Sequence, residues 1–161
     1  MPGNPIRLVL DTNVLLAGLV SRSSASQIFV DALEMRRMIP LLSREVIAEY
    51  RTVLVHPTIQ TRFDNLTVRR VELDLRRLRY IGEVHSIGRI RFKLPRDPRD
   101  EKFLELALVA QAEFVLTFDD DLLSLPASRT DAGRRFRQRL RGVCIQKPED
   151  FLRSDRSRLA P

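Results

Sequence analysis

The sequence predicts an α/β sandwich around a mostly parallel sheet. Two short, nearly all-apolar runs, 6–10 (IRLVL) and 114–118 (FVLTF), suit strands buried on both faces. Stretches with helical apolar spacing lie between such runs, and strands that alternate with helices build a parallel sheet covered by helices. The chain has 161 residues, 43% hydrophobic and 30% charged, which suits one packed domain and not a disordered chain. The expected domain spans 6–152, with flexible ends at 1–5 and 153–161.

The elements follow in order. After the strand 6–10, Asp11-Thr12-Asn13 opens a helix to about residue 20. Ser24 or Ser26 caps the next helix, whose apolar stripe is Ile28, Phe29, Ala32 and Leu33. A second strand covers 38–42. Ser43 caps a helix to about 55, with Pro57 just past its end and His56 at the helix end. A turn with a short helix covers 57–66. Residues 67–81 are amphipathic, with Val68, Val71, Leu75 and Leu78 on one side. A third strand is expected at 83–87, then a basic connection over 88–96. Asp97-Pro98-Arg99-Asp100 starts a helix to about 112: Asp97 caps it and Pro98 takes the first helical position. After the strand 114–118, Asp119-Asp120-Asp121 opens a short helix. A long Arg-rich connection fills 126–141. A last strand covers 143–145, with Cys144 in the core, and a last helical turn covers 148–152.

Several function classes fall away. No apolar run reaches membrane-spanning length, and no basic start with an apolar core marks an export signal. A single cysteine excludes an internal disulfide and a cysteine-rich zinc site. The expectation is a cytoplasmic enzyme or binding domain with no membrane partner. The net charge of +7 is uneven: residues 97–121 carry −6, and the segments 61–96 and 122–161 carry +6 each. A basic field attracts polyanions such as nucleic acid. The acidic block needs its own explanation.

Asp11 and Asp119 each stand directly after a buried strand, where ligands bind in open α/β sheets. Each could equally be a helix cap. Glu49 lies three residues after Val46 and four before Val53, on the apolar face of its helix, so it must be ion-paired or metal-bound. Asp100 occupies the first turn of its helix, where it either serves the helix start or faces the strand ends. Four carboxylates that converge with no lysine or histidine raise one another's pKa. Divalent cations resolve this: carboxylate ligands suit Mg²⁺ or Mn²⁺, which polarise a phosphodiester.

RLVLDTNVLLAGL, SREVIAEY and RDPRDEKFLELALVAQAEFVLTFDDDLL together resemble the PIN-domain nucleases, and most resemble their bacterial toxin–antitoxin toxin branch. The resemblance runs from about residue 6 to 123. It implies a PIN-like three-layer α/β/α sandwich with a five-stranded sheet in order 3-2-1-4-5, so that strands 1 and 4 are neighbours. It implies that Asp11, Glu49, Asp100 and Asp119 are the catalytic and metal-ligating acids, with Asp121 a further ligand. Asn13 and Thr117 match polar positions beside the metal, and Asp97 an acid that serves as a cap. The implied activity is Mg²⁺- or Mn²⁺-dependent cleavage of RNA, with a cognate antitoxin protein as partner and a homodimer as the assembly.

On the helix over 67–81, Arg70 and Arg77 are seven residues apart, as are Arg69 and Arg76, and the four form a basic band opposite the apolar side. Arg135 and Arg137 lie in the densest basic run, 134–141. Arg70, Arg77, Arg135 and Arg137 are the candidate phosphate contacts. A solvated surface is the alternative reading for both segments. Against the nuclease stands a different class, a PIN-fold module that binds RNA or scaffolds an assembly without cleaving.

Overall fold

Strand β1 (Ile6–Leu10) sets the layers by alternation. Leu8 and Leu10 face one core together with Val14, Ile28, Met38 and Phe151, and Val9 faces the other. In the computed structural model, which describes residues 4–155 and 158, β1 is followed by α1 (Thr12–Val20) and α2 (Ser24–Met35). Next come β2 (Met38–Ser43), α3 (Arg44–Leu54), α4 (Pro57–Arg62), α5 (Val68–Ile81) and β3 (Glu83–His85). A 3₁₀ turn (Pro98–Asp100) leads into α6 (Glu101–Val109) and β4 (Phe114–Leu116). Then follow α7 (Asp120–Leu123), a 3₁₀ turn (Leu125–Ala127), α8 (Asp131–Arg139), β5 (Cys144–Gln146) and α9 (Pro148–Ser154).

The five strands form one sheet in order β3-β2-β1-β4-β5, and all four pairings are parallel. Helices α3, α5 and α6 cover one face through Tyr50, Leu54, Val71, Leu75, Phe103 and Ala107. Helices α2 and α9 cover the other, where Phe151 meets Phe114 edge-on with ring centroids 4.9 Å apart. This is the expected three-layer sandwich and strand order.

Local chemistry explains most element starts. Ser43 accepts from the Val46 amide at the head of α3, Thr67 from Arg70 at α5, and His56 Nδ1 from Thr58 at α4. Asp97 caps the 3₁₀ turn by accepting from the Arg99 amide. The end of α6 is set by Gln111 in the left-handed region (φ 53), with the Ala112 amide donating back to the Ala107 carbonyl at 2.9 Å. That closure stops the helix before the expected residue 112.

Four expectations need correction. The cap of α2 is Ser23, which accepts from the Ser26 amide, not Ser24 or Ser26. Strands β3 and β4 stop at His85 and Leu116, two residues earlier than expected, because pairing with their neighbours ends there. Cys144 is exposed on the edge strand β5, and Ile145 carries the burial. The Arg-rich stretch expected as a connection contains α8, capped by Thr130 and anchored through buried Phe136. The side chains of Phe29, Ala32 and Leu33 lie outside the described residues, as do residues 1–3, 156–157 and 159–161 of the expected flexible ends. Within the expected C-terminal tail, Arg158 pairs with Glu113 at 2.9 Å. Among the described residues no helix is long and apolar enough to cross a membrane.

Candidate active site

Parallel pairing of Leu10 with Leu116 brings the next residues of β1 and β4 side by side at the carboxyl end of the sheet. The Asp11 amide donates to the Leu116 carbonyl at 2.9 Å. The Asp11 carbonyl starts α1 by accepting from the Val14 and Leu15 amides, but its carboxylate does not cap that helix. The carboxylate instead accepts from Thr117 Oγ1 at 2.7 Å, and the same Oγ1 accepts from the Asp119 amide at 2.9 Å. Thr117 is fully buried, so one hydroxyl ties both strand ends together. Below them the buried Tyr50 hydroxyl donates to the Leu10 carbonyl. Burial pushes the Asp11 carboxyl up, and the charges of Asp119 and Glu49 add to the effect against the Thr117 and Thr12 hydrogen bonds.

Asp119 does serve as a cap. Its Oδ1 accepts from the Asp121 amide at 2.7 Å and the Leu122 amide at 3.4 Å. Asp100 does not cap: it heads α6 with no side-chain hydrogen bond to the helix and is only 8% exposed. Burial raises its pKa to about 7, reinforced by the charges of Asp11, Asp97, Asp119 and Glu49. Those charges locate Asp100 electrostatically with the strand-end acids.

Glu49 reaches the same end of the sheet from α3, where its Oε1 accepts from Thr12 Oγ1 at 3.2 Å. Its other oxygen is ion-paired with Lys102 on α6. The expectation of carboxylates without a lysine is therefore corrected. Lys102 follows Asp100 by two residues and folds over to Glu49, also donating to the Arg99 carbonyl at 2.7 Å. Asp121 is half-exposed and pairs with Arg96 at 2.9 Å. Asp120 and Asn13 are exposed.

A comparison with protein-family models matches the PIN domain over residues 7–121. The chain belongs to the PIN-domain family. The match covers most of the chain, from β1 to the first turn of α7, and contains Asp11, Glu49, Asp100, Asp119 and Asp121. PIN domains are generally nucleases, and they generally use divalent metal ions. Comparisons with curated proteins and with solved structures return no match.

The donors of this PIN domain fit a hard divalent cation in chemistry: all are carboxylate oxygens whose mutual repulsion a cation relieves. Their spacing does not close around one here. Among the described residues, no group of three or more His, Cys, Asp or Glu side chains is placed to hold an ion. The contacts give the physical reason: Lys102 holds Glu49, two amides hold Asp119, and Arg96 holds Asp121. Lys102 is the residue that sequence reasoning missed. The sequence signalled that Glu49 needs a cation, but Lys102 lies 53 residues away on α6, so no local pattern names it.

The basic candidates separate into two kinds. Arg70 donates to the Leu19 carbonyl at 2.6 Å and the Asn65 carbonyl at 3.1 Å, so it fastens α5 to α1. Arg137 donates to the Pro126 and Ser128 carbonyls at 3.0 and 2.6 Å, so it fastens α8 to the preceding turn. Both were expected as phosphate contacts; each also donates to main-chain carbonyls and so has a structural role. Arg77 is largely exposed and lies 3.5 Å from Asp74. Arg135 is exposed and has no hydrogen bond or ion pair among the described residues.

Proposed function

We propose that this PIN domain is a Mg²⁺- or Mn²⁺-dependent endoribonuclease and the toxin of a toxin–antitoxin pair. The observation that carries the reading is Asp100, buried, without a side-chain partner among the described residues, and raised to about 7 by burial first and then by the charges of Asp11, Asp97, Asp119 and Glu49. Asp11, Glu49, Asp100 and Asp119 would hold the ion, with Asp121 a further ligand. When bound, the ion supplies charge neutralisation and Lewis acidity toward a phosphodiester. Thr117 fixes the Asp11 carboxylate, and Tyr50 fixes the strand end beneath it. With an ion held by these acids, Glu49 would no longer need Lys102 for neutralisation, and the ammonium would be available to substrate phosphate. The acidic centre lies within a basic molecule, which favours a polyanionic substrate.

The test is cleavage of a mixed RNA pool with and without Mg²⁺ or Mn²⁺, wild type against Asp11→Asn. The nuclease reading expects metal-dependent cleavage by wild type and none by the variant; full activity of the variant would sink it. The toxin reading expects growth arrest on induction of wild type and normal growth with Asp11→Asn. Normal growth with both would remove that part alone. The ion pair of Lys102 with Glu49 favours a second reading, a module that binds RNA without cleaving. That module would show no Mn²⁺-dependent rise in melting temperature.

A further inference from the structure

Beside the acidic centre lies a cavity of about 500 Å³. Its apolar surfaces come from Leu94 and Pro95 on one side and from Leu122, Leu125 and Ala132 on the other. It shares Asp100 and Asp121 with the proposed metal site. We propose that this cavity is a nucleobase subsite, which takes one unstacked base of the strand whose phosphodiester lies at the carboxylates. The inference rests on the nuclease reading and adds where the substrate is gripped.

Both walls are held in place. On the first, buried Glu105 accepts from the Arg91 and Phe92 amides at 2.9 and 3.3 Å, and buried Glu101 accepts from the Leu94 amide at 2.9 Å. Phe92 is buried, so the segment leading to Leu94 and Pro95 is anchored from behind. On the second, Arg137 clamps the Pro126 and Ser128 carbonyls, and Gly133 lets α8 close onto that turn. A Cβ at Gly133 would lie 2.3 Å from the Ser128 carbonyl oxygen. Two buried acids and a committed arginine thus serve to hold a cleft open beside the centre.

Charge selects the occupant. Asp97, Asp100, Asp121 and Asp131 line the cavity, three of them already paired with Arg99, Arg96 and Arg134, and Arg96 is the one cation of the lining among the described residues, so the interior offers a phosphate no free cation to hold it. A neutral planar ring has apolar faces for the leucine and proline walls, and enzymes hold bases between apolar side chains as well as aromatic ones. Arg96, 84% exposed at the rim, is placed to meet the phosphate that stays outside. An acidic peptide finds the same lining, whose cation, Arg96, is already paired with Asp121.

Methyl NMR on the full chain tests this in metal-free buffer, where no metal-dependent cleavage consumes the probe. The probes are a single-stranded RNA hexamer, the DNA hexamer of matching sequence and a hexamer of abasic nucleotides. The proposal expects saturable shifts at the Leu94, Leu122, Leu125 and Ala132 methyls with either base-bearing hexamer, and not with the abasic one. Ala132→Phe, which fills the cavity, should raise the RNA Kd and KM about tenfold with kcat kept, the effect of losing about one stacked base. Equal binding of intact and abasic hexamers would overturn it, as would shifts at these methyls with an acidic peptide only. If Ala132→Phe fails to fold, the wild-type comparison of intact with abasic hexamers decides alone. Base-dependent shifts without metal-dependent cleavage would remove the nuclease reading and leave the subsite. Cleavage that ignores the abasic change would do the reverse.

Discussion

Lys102 and Asp100 stand two residues apart and answer the same electrostatic problem differently. Lys102 neutralises Glu49 by ion pairing, and burial, reinforced by the neighbouring acids, raises the Asp100 carboxyl to about 7. Lys102→Met should loosen the metal-free protein by about 1–2 kcal/mol, because it leaves Glu49 unpaired among acids. It should also tighten Mn²⁺ binding about tenfold, since no ammonium has to be displaced; calorimetric titration of both proteins checks this. The pH dependence follows from Asp100. The unfolded chain ionises it near the ordinary 3.8 and the folded protein near 7. Between those values the unfolded state has already released the proton, so stability falls as pH rises and the loss is complete above about 7. Urea unfolding of the metal-free protein at pH 4, 6 and 8 should show this decline, and Asp100→Asn should flatten it. An equal decline in the variant would assign the slope to another group.

At the scale of elements, α8 shows where local pattern misleads. Its nine residues include four arginines and one aspartate, and only Gly133 and Phe136 are buried, so little apolar spacing marks it as a helix. Thr130 as cap and the Phe136 anchor were visible as residues, but their helical role depends on the turn they pack against. Gly133→Ala separates the effects. Helix propensity favours alanine by about 1 kcal/mol, yet the added methyl meets a backbone oxygen that cannot move aside. The clash should win, for a net loss of about 1–2 kcal/mol in urea unfolding; a gain would mean the turn is soft. By contrast α3 declared itself, because Ser43 caps it and Val46, Ile47, Tyr50 and Leu54 form its buried stripe. Ser43→Ala should cost about 1 kcal/mol by the same measurement.

Across the whole molecule the +7 is divided between arginines that hold the fold and arginines that face solvent. Arg135→Ala should weaken RNA binding and lessen its salt dependence with the melting temperature unchanged. Arg70→Ala should lower the melting temperature, because it removes the tie from α5 to the Leu19 and Asn65 carbonyls. A filter-binding salt series with thermal melts on both variants distinguishes the two roles. Identical behaviour would refute the division.

The sequence by itself determined the parallel α/β class, the burial of β1 and β4, and the placing of Asp11 and Asp119 just past them. Those features rest on short-range apolar pattern and on residues adjacent in the chain. Glu49 was marked as anomalous for the same reason, a charge on an apolar helix face. Only the tertiary structure decided which cation answers it, because Lys102 is 53 residues away and reaches it through the packing of α6. The same holds for Thr117 bridging two strand ends, for Arg70 and Arg137 turning inward to carbonyls, and for the cavity between residues 94–97 and α8. Each depends on contacts between distant segments, and no local periodicity encodes which long side chain finds which partner.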